Sequence, residues 1–141
     1  MANENPIHLD KRPTEPTMFN IENEHKDTMI YVTVKIELKE KGWQYAAFHN
    51  VSLKGKDIFP NKIPEPVDLK LDYGKNLHKK KCSVQSHVSR FSDEGSEETP
   101  VIVKFSLIIE AGDKLLNVFT KESDTNNPSN FYSFIIFNLL P

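Results

Sequence analysis

Apolar positions along this chain recur mostly with a period of two. Met29 to Lys39 reads MIYVTVKIELK, with Ile30, Val32, Val34, Ile36 and Leu38 on one face and Tyr31, Thr33, Lys35 and Glu37 on the other. Successive side chains of a strand point to opposite sides, so this alternation predicts a half-buried antiparallel strand. Trp43 to Leu53 repeats it, with Trp43, Tyr45, Ala47, His49, Val51 and Leu53 in step. Val67, Leu69, Leu71 and Tyr73 form a shorter run closed by Gly74, and Leu77 to Phe91 gives a longer one in which Cys82, Val84, Ser86 and Val88 share a face. Val101 to Ala111, Leu115 to Lys121 and Phe131 to Pro141 complete the series. No window repeats at the helical spacing, and β-branched and aromatic residues dominate the periodic segments.

The segments between them carry turn chemistry. Lys41-Gly42, Lys54-Gly55 and Gly112-Asp113 predict tight turns. Ser92 to Pro100 reads as an acidic hairpin loop and Glu122 to Asn130 as a second loop. The proline-studded stretch IFPNKIPEP, residues 58–66, predicts a loop or a crossover between sheets, because proline cannot donate to a central ladder. Residues 1–27 contain Pro6, Pro13 and Pro16 and show no steady apolar period, which predicts an extended or disordered N-terminal arm ahead of a β domain at 28–141. The whole pattern predicts an all-β protein, an antiparallel β-sandwich of about 7–8 strands with an extended arm; a small closed β-barrel is the alternative.

One segment breaks the alternation. FYSFIIFNLLP, residues 131–141, places Phe131, Ile135, Phe137 and Leu139 on one face and Tyr132, Phe134, Ile136 and Leu140 on the other. Both faces are apolar. Each such side chain left in water forfeits roughly 1.5–3 kcal/mol of burial, and an apolar face of this kind invites association. The expectation is that Tyr132, Phe134, Ile136 and Leu140 meet the arm or a second molecule.

Composition narrows the function classes without choosing one. The chain has 141 residues, 38% hydrophobic and 27% charged, with a formal net charge of −2. That length suits one domain, and the charge exerts no general attraction on nucleic acid or an anionic membrane. No apolar run is long enough for a membrane-spanning helix, and no secretory leader is visible. A single cysteine, Cys82, excludes an intrachain disulfide and fits a reducing compartment, so a cytoplasmic location is expected, with a trimmed secreted protein as the alternative.

Candidate chemistry is sparse. Cys82, His78 and His87 are zinc-ligand types, but strand parity turns His87 away from Cys82 and no turn-like CxxC pair exists. Cys82 with His49 or His87 as base has no local feature to lower the thiol pKa. Lys75 to Lys81, KNLHKKK, reads as a solvated strand edge rather than a nucleic-acid surface. Asp93 to Glu98 lacks the spacing of a calcium loop; its acids and Asp57, Asp72, Asp113 and Asp124 would need to converge to bind an ion. Tyr31 and Tyr73 are candidate ligand-facing aromatics. No phosphate loop or hydrolase motif is present. The resulting expectation is a non-enzymatic protein–protein interaction or assembly component, a homo-oligomer or partner-docking protein with no cofactor, no metal and no catalytic residues. A carbohydrate or other small-ligand module, and an enzyme of unseen class, are the alternatives.

Overall fold

The computed structural model describes residues 8–9, 16–40, 42–62, 65–92, 101–123 and 128–141, with backbone alone at 8–9 and 60–62. It contains β1 (His8–Leu9), β2 (Thr17–Ile21), a 3-10 turn (Asn23–His25), β3 (Met29–Leu38), β4 (Gln44–Leu53), β5 (Lys56–Lys62), β6 (Leu69–Tyr73), the single-turn helix α1 (Gly74–Leu77), β7 (Lys81–Phe91), β8 (Val103–Ala111), β9 (Lys114–Ser123) and β10 (Ser129–Leu139).

These strands form two sheets. Sheet A runs β1-β10-β7-β4-β5, with β2 also paired to β10; sheet B runs β6-β3-β8-β9. The fold is thus the predicted all-β sandwich, and no strand is shared between the sheets to close a barrel. One pairing departs from the antiparallel rule. β2 lies parallel to β10, with Phe19 opposite Phe137 and Ile21 opposite Leu139.

The alternation read from the sequence is the alternation of burial. On β3, Ile30, Val32, Val34 and Ile36 are buried, and on β8 Val103, Phe105, Leu107 and Ile109 are buried. Aromatic rings tie the layers together. Phe105 of sheet B stacks on Phe131 of sheet A at 4.9 Å between centroids. Phe19 meets Phe119 edge-on at 6.1 Å and Phe137 at 5.9 Å. Edge-to-face and offset-stacked pairs are the arrangements the ring quadrupole favours.

Three strands lie where no strand was expected. β1 and β2 come from the predicted arm, and Phe19 and Ile21 are core residues. β5 comes from the proline-rich stretch that predicted a loop or crossover. It is an edge strand, paired only with β4 and carrying two register shifts, a setting that tolerates Pro60. The crossover to sheet B follows it.

β10 is an internal strand. β7 pairs with it on one side, and β1 then β2 pair with it on the other. Its end is fastened by Leu140 N–H donating to Ile21 O at 2.9 Å and by Asn23 Nδ2 donating to Leu140 O at 3.3 Å. The N-terminal strands therefore extend the sheet beside β10; they do not lie across its outer face.

Gly74 is fixed by a close approach. A Cβ at this position would sit 2.4 Å from the carbonyl oxygen of His25. No side chain fits there, and α1 packs directly against the 3-10 turn.

Candidate functional site

The cross-strand registers assemble the outer face of sheet A into rows. His87 on β7 lies between Phe48 on β4 and Asn130 on β10; Gln85 lies between Asn50 and Tyr132; Ser83 lies between Ser52 and Phe134. Ile136 then stands beside Lys81 and Met18, and Asn138 beside Asn20. Along β2, β4, β7 and β10, Lys81 is the sole lysine, arginine, aspartate or glutamate among the described outward positions. Sheet B is the opposite. Its outer face carries Lys35, Glu37, Lys70, Lys104, Glu110 and Glu122.

The residues singled out at the end of the chain lie on the uncharged face or at its margin. Tyr132, Phe134, Ile136 and Leu140 are half-buried. They are neither sealed by the described chain nor fully in water, because neighbouring side chains shelter part of each. Asn138 Nδ2 donates to Asn20 Oδ1 at 3.3 Å, which supplies the partner that a polar group in an apolar row requires. Sequence inspection did not single out Met18, Phe48 and Phe91, which are 47%, 53% and 48% exposed.

Tyr31 and Tyr73 project from sheet B, on the other side of the molecule. Tyr31 borders a shallow depression with Asp68, Glu110 and Asp113, and Tyr73 is exposed beside Met29. Tyr73 is not among the residues that line the depression beside Tyr31.

The zinc constellation does not converge. Cys82 is fully buried, and burial pushes its thiol up to about 12. His78 lies outside the strand and its Nδ1 accepts the Leu139 N–H at 2.9 Å. His87 Nδ1 donates to Asn130 Oδ1 at 2.6 Å on the outer face. No group of three metal-ligand residues comes together among the described residues. Asp93 to Glu98 and Asp124 fall outside those residues. Asp57 accepts from Ser52 Oγ at 2.6 Å. Asp72 accepts from Lys54 Nζ at 2.8 Å and Asn76 Nδ2 at 2.9 Å, and the Lys54 ammonium leads the contacts that hold its carboxyl below the usual range.

The lysine cluster is placed differently from the edge it predicted. Lys75 is in α1, Lys79 and Lys80 are in the following turn, and Lys81 opens the internal strand β7. Lys79 N–H donates to Phe137 O at 2.7 Å and Phe137 N–H to Lys80 O at 3.1 Å, so this segment secures β10 through its backbone.

Two polar pairs involve β4, one buried and one half-buried. His49 Nδ1 and Ser86 Oγ share a 2.7 Å hydrogen bond, and Tyr45 O–H donates to the Glu65 carboxylate. Burial lowers the His49 pKa from its ordinary value, and the Glu65 carboxylate acts in the other direction. Burial, then the hydrogen bond to Glu65, raises the Tyr45 phenol to about 12. A serine–histidine pair suggests nucleophilic chemistry, but Ser86 is 3% exposed and His49 0%. A nucleophile must reach its substrate, and these two face the core.

No family model, curated protein or solved structure matches the chain at a significant level. The fold and this face together define an all-β sandwich in which the outer surface of sheet B is charged, while β2, β4, β7 and β10 of sheet A present one outward charge among the described residues and the edge strand β5 adds Asp57 beside Ser52. No helix among the described residues is long and apolar enough to cross a membrane.

Proposed function

We propose that the protein is a non-enzymatic assembly component that self-associates through the outer face of sheet A, around β10 and β2. The observation that carries this reading is the contrast between the two outer faces. Interface cores are depleted in charge and enriched in aromatic residues and methionine. Phe134, Ile136, Met18 and Tyr132 have that character, and the rows around them are hydroxyls and amides. An uncharged patch also meets its own copy without like-charge repulsion, as a two-fold contact requires.

The sheet edges support contact through a face. Exposed edges are where strands pair between molecules, and proteins blunt them with proline, bulges, charges and short lengths. β5 has Pro60 and two register shifts; β2 and β6 are five residues each. On β9, Asn117 Oδ1 accepts the Val118 N–H at 2.8 Å, and Lys121 and Glu122 follow.

Light scattering coupled to size exclusion tests the proposal. The expected mass is a dimer or higher at tens of micromolar, falling to a monomer in Phe134→Lys and Ile136→Lys. A wild-type protein that stays monomeric at high concentration overturns it.

A further inference from the structure

We propose that the other half of this face, around Gln85 and His87, is a binding site for an uncharged oligosaccharide. This inference shares Tyr132 and Phe134 with the self-association patch, but it is argued from Asn50, Gln85, His87 and Asn130, which that proposal does not use. A shallow depression of about 190 Å³ is lined by Phe48, Asn50, Gln85, His87, Asn130 and Tyr132, with Ser86 between Gln85 and His87 at its floor. A second, of about 300 Å³, shares Gln85 and continues past Ser83 and Phe134 to Lys81. The two form one furrow following β7, from His87 to Lys81, a length of about 20 Å at strand spacing.

The lining selects the ligand class. The first depression holds no carboxylate or ammonium group, so it offers neither partner to an ion. It is also a poor site for a purely apolar ligand. Such a ligand would strip water from Gln85 and from the exposed edges of the polar side chains around it and return no hydrogen bond. A sugar ring meets both requirements. Its hydroxyls donate and accept, as an amide does, and its C–H faces pack on the aromatic rings of Phe48 and Tyr132 that flank the amides.

The polar groups are also prearranged. The 2.6 Å bond between His87 Nδ1 and Asn130 Oδ1 joins neighbouring strands and holds the ring and the amide in one orientation. Both sit on an internal ladder, β4-β7-β10, that does not rearrange as a loop does. Ordering before binding removes part of the entropy cost of association.

The test is a titration of the full ¹⁵N-labelled chain with cellohexaose, xylohexaose and mannohexaose. Saturable amide shifts centred on Gln85, His87 and Asn130 are expected with at least one of them, with none at Tyr31 or Thr33 on the opposite face. Gln85→Ala and His87→Ala should each weaken binding about tenfold, the equivalent of one hydrogen bond, with melting temperature confirming that both variants fold. Tyr31→Ala should change nothing. Ile136 lies outside both depressions, so Ile136→Lys should keep the saccharide shifts while losing self-association; the two proposals thus fail separately. The inference is overturned if no hexasaccharide gives saturable shifts at about 10 mM, if Gln85→Ala binds like the wild type, or if an uncharged glycine–serine peptide shifts the same residues at lower concentration.

Discussion

Single residues set two features of this protein's stability. His49 is fully buried and bonded to Ser86, and its pKa is lowered chiefly by burial. The unfolded imidazole titrates near 6.5. Below that pH the unfolded chain binds a proton that the folded chain resists, so stability falls as pH drops through the unfolded value. The melting temperature should therefore decrease between pH 7.5 and 5.5. His49→Gln keeps a hydrogen-bonding group without a titration, and it should flatten that slope. Gly74 makes the second case. With the His25 carbonyl 2.4 Å from where a Cβ would stand, Gly74→Ala must push apart α1 and the 3-10 turn. A loss of about 1–3 kcal/mol is expected, the range of overpacking substitutions, measured as a shift of the urea midpoint.

At the scale of elements, legibility followed the strength of alternation. β3, β4, β7 and β8 each present several apolar residues at period two and were readable from that alone, whereas β9, with apolar residues on both parities, was read as the return from the turn at Gly112-Asp113. β2 is five residues long and follows three prolines, so Phe19 and Ile21 give only one repeat of the period. β5 was hidden by Pro60, which is compatible with a strand only at an edge, and edge position is a tertiary fact. The polar half of the candidate site had no signal at all. Ser83, Gln85 and His87 look like the ordinary wet side of a strand, and only the register with β4 and β10 sets them between Phe48, Tyr132 and Phe134. β10 was singled out for its two apolar faces, and the structure gives it a second burden. It is paired on both edges, and Phe131, Ile135 and Phe137 are core residues. Removal of residues 131–141 should therefore abolish cooperative unfolding by circular dichroism whether or not the protein self-associates. Truncation reports on the fold, and only outward substitutions such as Phe134→Lys report on assembly.

At the scale of the whole molecule, the two outer faces divide the labour. Sheet B carries alternating charge, including the Lys35–Glu37 pair at 3.2 Å, which is suited to remaining in water. The inner strands of sheet A carry mainly amides, hydroxyls and aromatics outward, with Lys81 and the neighbouring Asp57 at one end. A mixed surface of that kind hydrates through its amides and hydroxyls while its half-buried apolar side chains would gain from contact. Both proposals use this face because the opposite one would have to release salt-paired side chains first.

The parallel pairing of β2 with β10 also has a kinetic consequence. The two strands are separated by nearly the whole chain, and β10 is synthesised after every strand it joins. Translation adds about 5–20 residues per second, so Phe19 and Ile21 wait for many seconds after emerging before their partner exists. Until then the nascent protein holds an open sheet with greasy residues unshielded. This topology leaves the growing chain prone to aggregation until one ribbon arrives.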